Sequence, residues 1–352
     1  MAFTNQPGGG QNIYIPNYGW SDAELGGALC VNYSRNPASF KLNQWAKLYP
    51  TKNMSGVYQR WDPANGARVV AVSDFIWPLG NDVPKPVGDY FENATFLTAR
   101  YGEAFMIPQQ TIDQCPTVDL AAEYIGSHAQ AVMTVREINA ITAATTTGNW
   151  AGNTAATGTI LGGGPWNNSN ATTEQWIKKG IQAAMQAVEL SSGGLVQGSD
   201  LTMVIGPAVA RAISQTAEFE DFIKQNTLSL AVQRGDASVV IPSYGIPNQL
   251  YGLRNIIVDN TVRVTSQPGA TTAASFAMGN AALFITRKGE IMGNQVSAGR
   301  DWSTIGIFSY EEMAVRTEYQ ALPQRLSGVI SDNYAVGVIA PQSGYMCANV
   351  LS

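Results

Sequence analysis

His128 is the only histidine in the chain, so any imidazole chemistry rests on that residue alone. It lies between Gly126-Ser127 and Ala129, within a stretch that reads as helix. A serine or cysteine hydrolase would need a nucleophile held beside that base, and no Gly-x-Ser-x-Gly elbow occurs. A single imidazole also excludes a multi-histidine metal site. A helix histidine packed or facing water is the plainer reading. The run Gly162-Gly163-Gly164-Pro165 has the glycine content of a phosphate loop. Neither Gly-Lys-Thr nor Gly-Lys-Ser follows it, and Pro165 removes a backbone donor where such a loop needs one, so it reads as a flexible loop. Glu218, Glu220 and Asp221 gather near the end of a predicted helix as a solvated acidic face. Glu311 and Glu312 are adjacent on a predicted strand, point to opposite faces and form no dyad. Cys30, Cys115 and Cys347 are far apart with no Cys-x-x-Cys pair, which reads as reduced, buried thiols in a protein made in the cytosol. No catalytic residue, metal ligand or cofactor is expected, and the chain is not read as an enzyme.

Trp61, Trp77, Trp150 and Trp166 fall near predicted loops. Indole rings so placed can stack on sugars or anchor contacts between subunits. Composition favours the second use. Apolar residues make up 45% of the 352 residues and charged residues only 13%, with 35 glycines and many neutral polar residues in their place. That charged share is about half of the usual one. A surface poor in charge suits a protein that hides much of it against other chains, because desolvating charge is costly. Net charge is −5, so there is no general electrostatic footprint for nucleic acid. Met1 to Ser34 lacks the pattern of a signal peptide, and no segment approaches the ~20 apolar residues of a membrane span. The sequons at Asn32, Asn53, Asn93, Asn167 and Asn170 are then products of Asn and Thr richness.

The length suits roughly two or three domains. The first ~50 residues hold Gly8-Gly9-Gly10, Pro7, Pro16, Pro37 and scattered aromatics without periodicity, which reads as a disordered tail or an arm ordered against another surface, and Trp20, Trp45 and the tyrosines favour the arm. Val57–Trp61 and Ala67–Val72 flank the turn signal Asp62-Pro63-Ala64-Asn65-Gly66, and Ala94–Thr98 predicts another strand. Isolated hairpins are marginal in water, so this one is expected on another subunit. From Pro116 a helix of ~28 residues, ~42 Å long, runs to about Ala144 with one apolar stripe. Thr172 with Gln175 is a capping-box signature for a second helix. Leu201–Ile205 predicts a buried strand, and Gly206-Pro207 opens a third helix to about Phe222. Strands follow at Ile256–Val258, Ser275–Met278, Ala281–Thr286, Ser309–Glu318 and Ala335–Ile339. No 20–50-residue repeat is present, which argues against solenoids and propellers. The pattern is α+β.

The order of these parts resembles the major capsid proteins of tailed bacteriophages, whose shell fold is called the Johnson, or Hong Kong ninety-seven, fold. Gln110-Thr111-Ile112-Asp113-Gln114-Cys115-Pro116 resembles that family's lead into its spine helix. Leu201–Ile205 then Gly206-Pro207 resembles the step into its axial domain. Leu250-Tyr251-Gly252-Leu253 before Ile256-Ile257-Val258 is similar to its aromatic-Gly-Leu signature. Ala282-Leu283-Phe284-Ile285 before Arg287-Lys288-Gly289 resembles a shared strand, and Met313–Glu318 is similar to the strand that returns to the peripheral domain. Each pattern is degenerate, and their co-linear order carries the weight.

The resemblance implies an N-terminal arm over 1–50, an extended hairpin loop over 51–112 and a peripheral domain with the spine helix over 113–200. It further implies an axial domain over 201–307, a return strand over 308–322 and a C-terminal axial segment over 323–352. Hexamers and pentamers would close an icosahedral head around double-stranded DNA, in a virion whose subunits are synthesised in the host cytoplasm. Partners would be further copies of the chain, with scaffold, portal and decoration proteins, DNA held without sequence-specific binding, and no membrane. One branch of the family welds its shell by Lys–Asn bonds assisted by a Glu. Glu318 resembles that Glu, but Glu311 stands where the Asn belongs and no lysine lies between Pro86 and Ile177, so Glu318 is expected to pair with a neighbour's arginine. Expected inter-subunit contacts are Trp20, Trp61, Trp77, Arg68, Arg316 and Glu318. An encapsulin-type nanocompartment shell is the nearer alternative, and a carbohydrate-binding protein using exposed tryptophans the further one.

Overall fold

The computed structural model describes residues 40–61, 91–114, 120–155, 161–170, 172–194, 196–225, 243–247, 249–266, 271, 273–286, 303–321 and 324–352. Trp20, Arg68, Trp77, Cys30 and Cys115 lie outside them, as does the expected strand Ala67–Val72.

The described chain begins with a single turn, α1 (Leu42–Trp45), and a short strand, β1 (Lys47–Pro50). Leu42, Trp45 and Ala46 are buried in the protein's own core. The last residues of the expected arm are therefore ordered by this chain itself. β2 (Ser55–Trp61) pairs antiparallel with β3 (Phe91–Leu97), in register from Ser55↔Leu97 to Trp61↔Phe91. Next come β4 (Ala99–Pro108), the short α2 (Gln109–Gln114) and the long α3 (Leu120–Thr145). The end of α3 is closed by side chains that reach its last carbonyls: Asn149 donates to Ala143 O at 2.8 Å, and the Trp150 indole to Ala144 O at 2.7 Å.

α4 (Trp176–Ser191) is capped in an unexpected way. Gln175 adopts a left-handed φ of 40°, and Asn170 accepts the N–H groups of Thr173 and Glu174. The Thr172–Gln175 capping box does not form. Ser169 Oγ accepts Trp176 N–H at 2.7 Å, while Glu218 accepts Ile177 N–H at 3.2 Å and Lys178 N–H at 2.9 Å. Glu218 is buried, which corrects the solvated-face reading; a carboxylate at a helix N-terminus satisfies orphan donors and complements the dipole. The Gly162–Gly164 run is also no loose loop. A Cβ on Gly162 would lie 2.2 Å from Trp176 O and 2.7 Å from Gly180 N, so backbone meets backbone there.

β5 (Thr202–Ile205) leads into α5 (Pro207–Ser214), with Pro207 in the first turn. The expected single helix is broken at Gln215-Thr216. Thr216 Oγ accepts Phe219 N–H at 3.3 Å and starts α6 (Ala217–Gln225). Strands β6 (Asn255–Val258), β7 (Val262–Val264), β8 (Ala274–Phe276), β9 (Ala282–Ile285), β10 (Ile305–Ala321), β11 (Gln324–Val338) and β12 (Tyr345–Cys347) complete the described elements.

Two four-stranded sheets organise them. The first, ordered β12-β9-β5-β6, is buried on both faces. Met203, Ile205, Ile256, Ala282, Phe284 and Cys347 face one core with α4, α5 and α6. Their alternates Val204, Ile257, Leu283, Ile285 and Met346 face the other, with α1, the end of α3 and Trp150. Double-sided burial is why these strands read as unbroken apolar runs. The second sheet, ordered β1-β10-β11-β4, has β1 parallel to β10 and the rest antiparallel. It bears α3 on one face through Phe105, Ile107, Ile330 and Val132. Trp150 and Trp166 are fully buried, with their indole N–H groups bonded to Ala144 O and Leu161 O. That removes both from sugar stacking and from subunit contacts.

Candidate assembly surface

Two open surfaces bear on the expected contacts between subunits, and two internal ties hold the elements that carry them. The first is the β2–β3 hairpin, whose two faces differ because alternate residues of a strand point to opposite sides. One face carries Tyr58 and Phe96 and packs on Phe308 of β10. Phe96 stacks on Phe308 with ring centroids 4.4 Å apart, and Tyr58 and Tyr49 lie 5.0 and 5.7 Å from the same ring. Burial pushes the Tyr58 hydroxyl pKa up, Arg60 opposing and Glu92 adding to it. The opposite face carries Ser55, Val57, Gln59, Asn93, Thr95 and Leu97, all exposed and none charged. Val57 and Leu97 are 65% and 76% exposed. The hairpin base thus rests on its own chain, while an uncharged outer face is left open. Phe308→Ala is expected to cost about 3 kcal/mol, a typical value for emptying a buried aromatic site. It would also loosen the hairpin; hydrogen exchange should accelerate selectively over 55–60 and 92–97.

The second surface is the face of the long-stranded sheet turned away from α3. Cross-strand register places Ala104, Val329 and Arg316 in one row and Met106, Ser327 and Glu318 in the next. Met106, Val329, Arg316 and Glu318 are all exposed. Arg316 and Glu318, two of the three charged contact residues expected from the sequence, therefore share one open sheet face, while Arg68 lies outside the described residues. Arg316 is held by Glu311 at 2.9 Å, and Trp61 ends β2 opposite Phe91.

The third comprises the bonds between α3 and the long-stranded sheet. His128 Nδ1 meets Glu103 of β4 at 2.9 Å and its ring stacks on Phe105. Arg136 lies 3.4 Å from the buried Asp332 of β11. Burial raises the Asp332 pKa, with Glu312 adding and Arg136 opposing. The sole histidine is thus a structural tie between helix and sheet.

The fourth is a polar knot that the sequence reading did not single out. Glu137 of α3 accepts Lys41 N–H at 2.7 Å, Leu42 N–H at 3.2 Å and the Thr261 hydroxyl at 2.7 Å. Asp259 accepts the Trp45 indole N–H at 3.1 Å and Thr261 N–H at 3.0 Å. Burial raises the Glu137 pKa, and the neighbouring Asp259 charge adds to it. The knot joins α1, α3 and the turn before β7. A polar residue on the buried side of a helical stripe was its only trace in the sequence.

Among the described residues the long-stranded sheet thus has an open face and the hairpin an uncharged outer side, with exposed apolar residues on both. Residues 92–330 match the family described as phage capsid protein, and the chain belongs to that family. A comparison with curated proteins gives no match. Among solved structures, a phage-related protein from Bordetella bronchiseptica RB50 is 12% identical with a TM-score of 0.61, covering 93% of this chain and 97% of that one. The capsid of an empty GTA particle is 13% identical with a TM-score of 0.51, covering 89% of this chain and 90% of that one. At such identity the likeness is one of fold. The role is that of a structural protein of a virion.

Proposed function

We propose that this chain is the major shell subunit of a phage head, assembling as hexamers and pentamers into an icosahedral container for double-stranded DNA. The observation that carries this reading is the family match over 92–330. The uncharged outer face of the hairpin and the open face of the long-stranded sheet agree with it. In this reading the outer face of β2–β3 from one subunit covers Ala104, Met106 and Val329 of the next. Each contact buries apolar area at about 25 cal/mol per Å², and many modest contacts add through multivalency. Trp20, Trp61, Trp77 and Arg68 join Arg316 and Glu318 as contact residues. Scaffold, portal and decoration proteins are the accessory partners, DNA is enclosed without sequence-specific recognition, and synthesis takes place in the host cytoplasm.

Size-exclusion chromatography with light scattering, followed by negative-stain microscopy of the void fraction, tests the proposal. Closed particles or capsomer-sized rings are expected. A stable 37.6 kDa monomer at high concentration would sink the shell reading. Protein cargo without nucleic acid in particles from the native source would make the chain a nanocompartment shell instead.

A further inference from the structure

Among the described residues β10 is paired on its outer side only where β1 reaches it, from Gly306 to Ser309. Two register shifts follow, on either side of Glu311, and from Ala314↔Ser331 to Ala321↔Gln324 the ladder with β11 runs unbroken. Among the described residues nothing pairs with the outer edge of that stretch. Residues 315–319 are exposed at every position, including Val315 at 44% and Tyr319 at 55%. A long edge with free N–H and C=O groups, without proline or lysine, is a template for strand addition.

The edge is self-complementary. Laid antiparallel on a second copy with Thr317 opposite Thr317, the segment Val315-Arg316-Thr317-Glu318-Tyr319 sets each Arg316 opposite a Glu318 and each Val315 opposite a Tyr319. One face gains two opposite-charge pairs, and the other gains two aliphatic–aromatic pairs around a Thr–Thr pair, the combinations that stabilise neighbouring strands. Other registers lose this. Centring on Arg316 or Glu318 opposes like charges, and a shift by one residue sets Val315 against Glu318 or Arg316 against Tyr319. The present Arg316–Glu311 pair is exposed and contributes little against such an exchange.

We infer that the β10 edges of two copies pair antiparallel about a twofold axis through Thr317, joining two long-stranded sheets into one continuous sheet between subunits. The contact is isologous, the same patch on both partners. It rests on the reading of the chain as a shell subunit and assigns that reading one symmetry contact, its register and its charge pairs.

Three variants and a crosslink test it. R316E and E318R each oppose like charges at both pairs and are expected to raise the concentration for half-assembly by about tenfold. The double variant R316E/E318R reverses both pairs together and should return assembly to near wild type. Unchanged melting temperatures would show that the single variants fold. Thr317→Cys, oxidised in parallel with wild type as the control for the native cysteines, should give a dimer on non-reducing gels that wild type lacks. A double variant that stays defective, or a Thr317→Cys chain with no added dimer while wild-type particles form, overturns the pairing and leaves the shell reading standing. A wild-type chain that remains monomeric overturns the shell reading, and the cysteine variant at high concentration still decides the pairing.

Discussion

Trp45→Ala is expected to cost about 3–5 kcal/mol of folding stability, the upper range for emptying a large buried site. The indole is fully buried between the end of α3 and the first sheet, among Ala140, Ile141, Ile257 and Leu283. Truncation removes that volume and also the N–H that Asp259 accepts at 3.1 Å. Trp45→Phe helps to separate the two effects, because it keeps most of the apolar area while removing the donor. It should cost about 1–3 kcal/mol, the penalty for leaving a buried acceptor short of a partner. Urea unfolding measures both, and limited proteolysis should cut near residues 40–50 in the alanine variant first. Equal stability of Trp45→Ala and wild type would show that this segment is no part of the core. Because β1 follows α1 at once and pairs with β10, loss of the anchor should also loosen the base on which Phe308 sits.

Glu137→Ala is the second large effect, about 2–4 kcal/mol, because two backbone N–H groups and a hydroxyl lose their acceptor inside the protein. Glu137→Gln keeps the shape and one acceptor oxygen and should fold with a smaller loss. Its value lies in the pH dependence. The folded-state pKa of Glu137 lies above its ordinary value. The folded protein therefore holds this proton more tightly than the unfolded chain. The stabilising contribution is fully present below the ordinary glutamate pKa and is lost as pH rises through the raised folded value. Asp332, whose pKa is also raised, acts with the same sign. In wild type the melting temperature should receive a falling contribution across that window. Removing the Glu137 titration should flatten it, so the gap between Glu137→Gln and wild type moves in favour of the variant as pH rises. A gap that is constant with pH would refute the raised ionisation.

The first sheet was legible because its strands are apolar on both faces, so Leu201–Ile205 and Ala282–Ile285 could be read without knowing their partners. The spine helix was legible from its length and its stop at Thr145-Thr146-Thr147-Gly148. β11 was legible only at its end. Ser331-Asp332-Asn333 interrupts the apolar pattern, yet all three are buried, with Arg100 donating to Ser331 and Arg136 beside Asp332, partners that no spacing rule shows. The same holds for Glu218 and Glu137. Local sequence places an acidic residue on a helix, but whether it faces water or caps another element depends on a partner 41 or 95 positions away. The pairing of β2 with β3 was hidden for a similar reason, since the turn signal at Asp62–Gly66 is local and the Val57↔Thr95 pairing is not, while Ala67–Val72 lies outside the described residues. Arg316 and Glu318 were found as candidates. Their shared open face needed the register of three strands.

The unbroken ladder from Ala314↔Ser331 to Ala321↔Gln324 also has a mechanical meaning. Antiparallel hydrogen bonds run perpendicular to the strands, so a pull along β10 and β11 shears many bonds at once, and none can yield alone. The β2–β3 hairpin meets the body through a stack of rings, which a sideways pull separates contact by contact. Under load the long strands would act as stiff struts, and the give would concentrate at the foot of the hairpin.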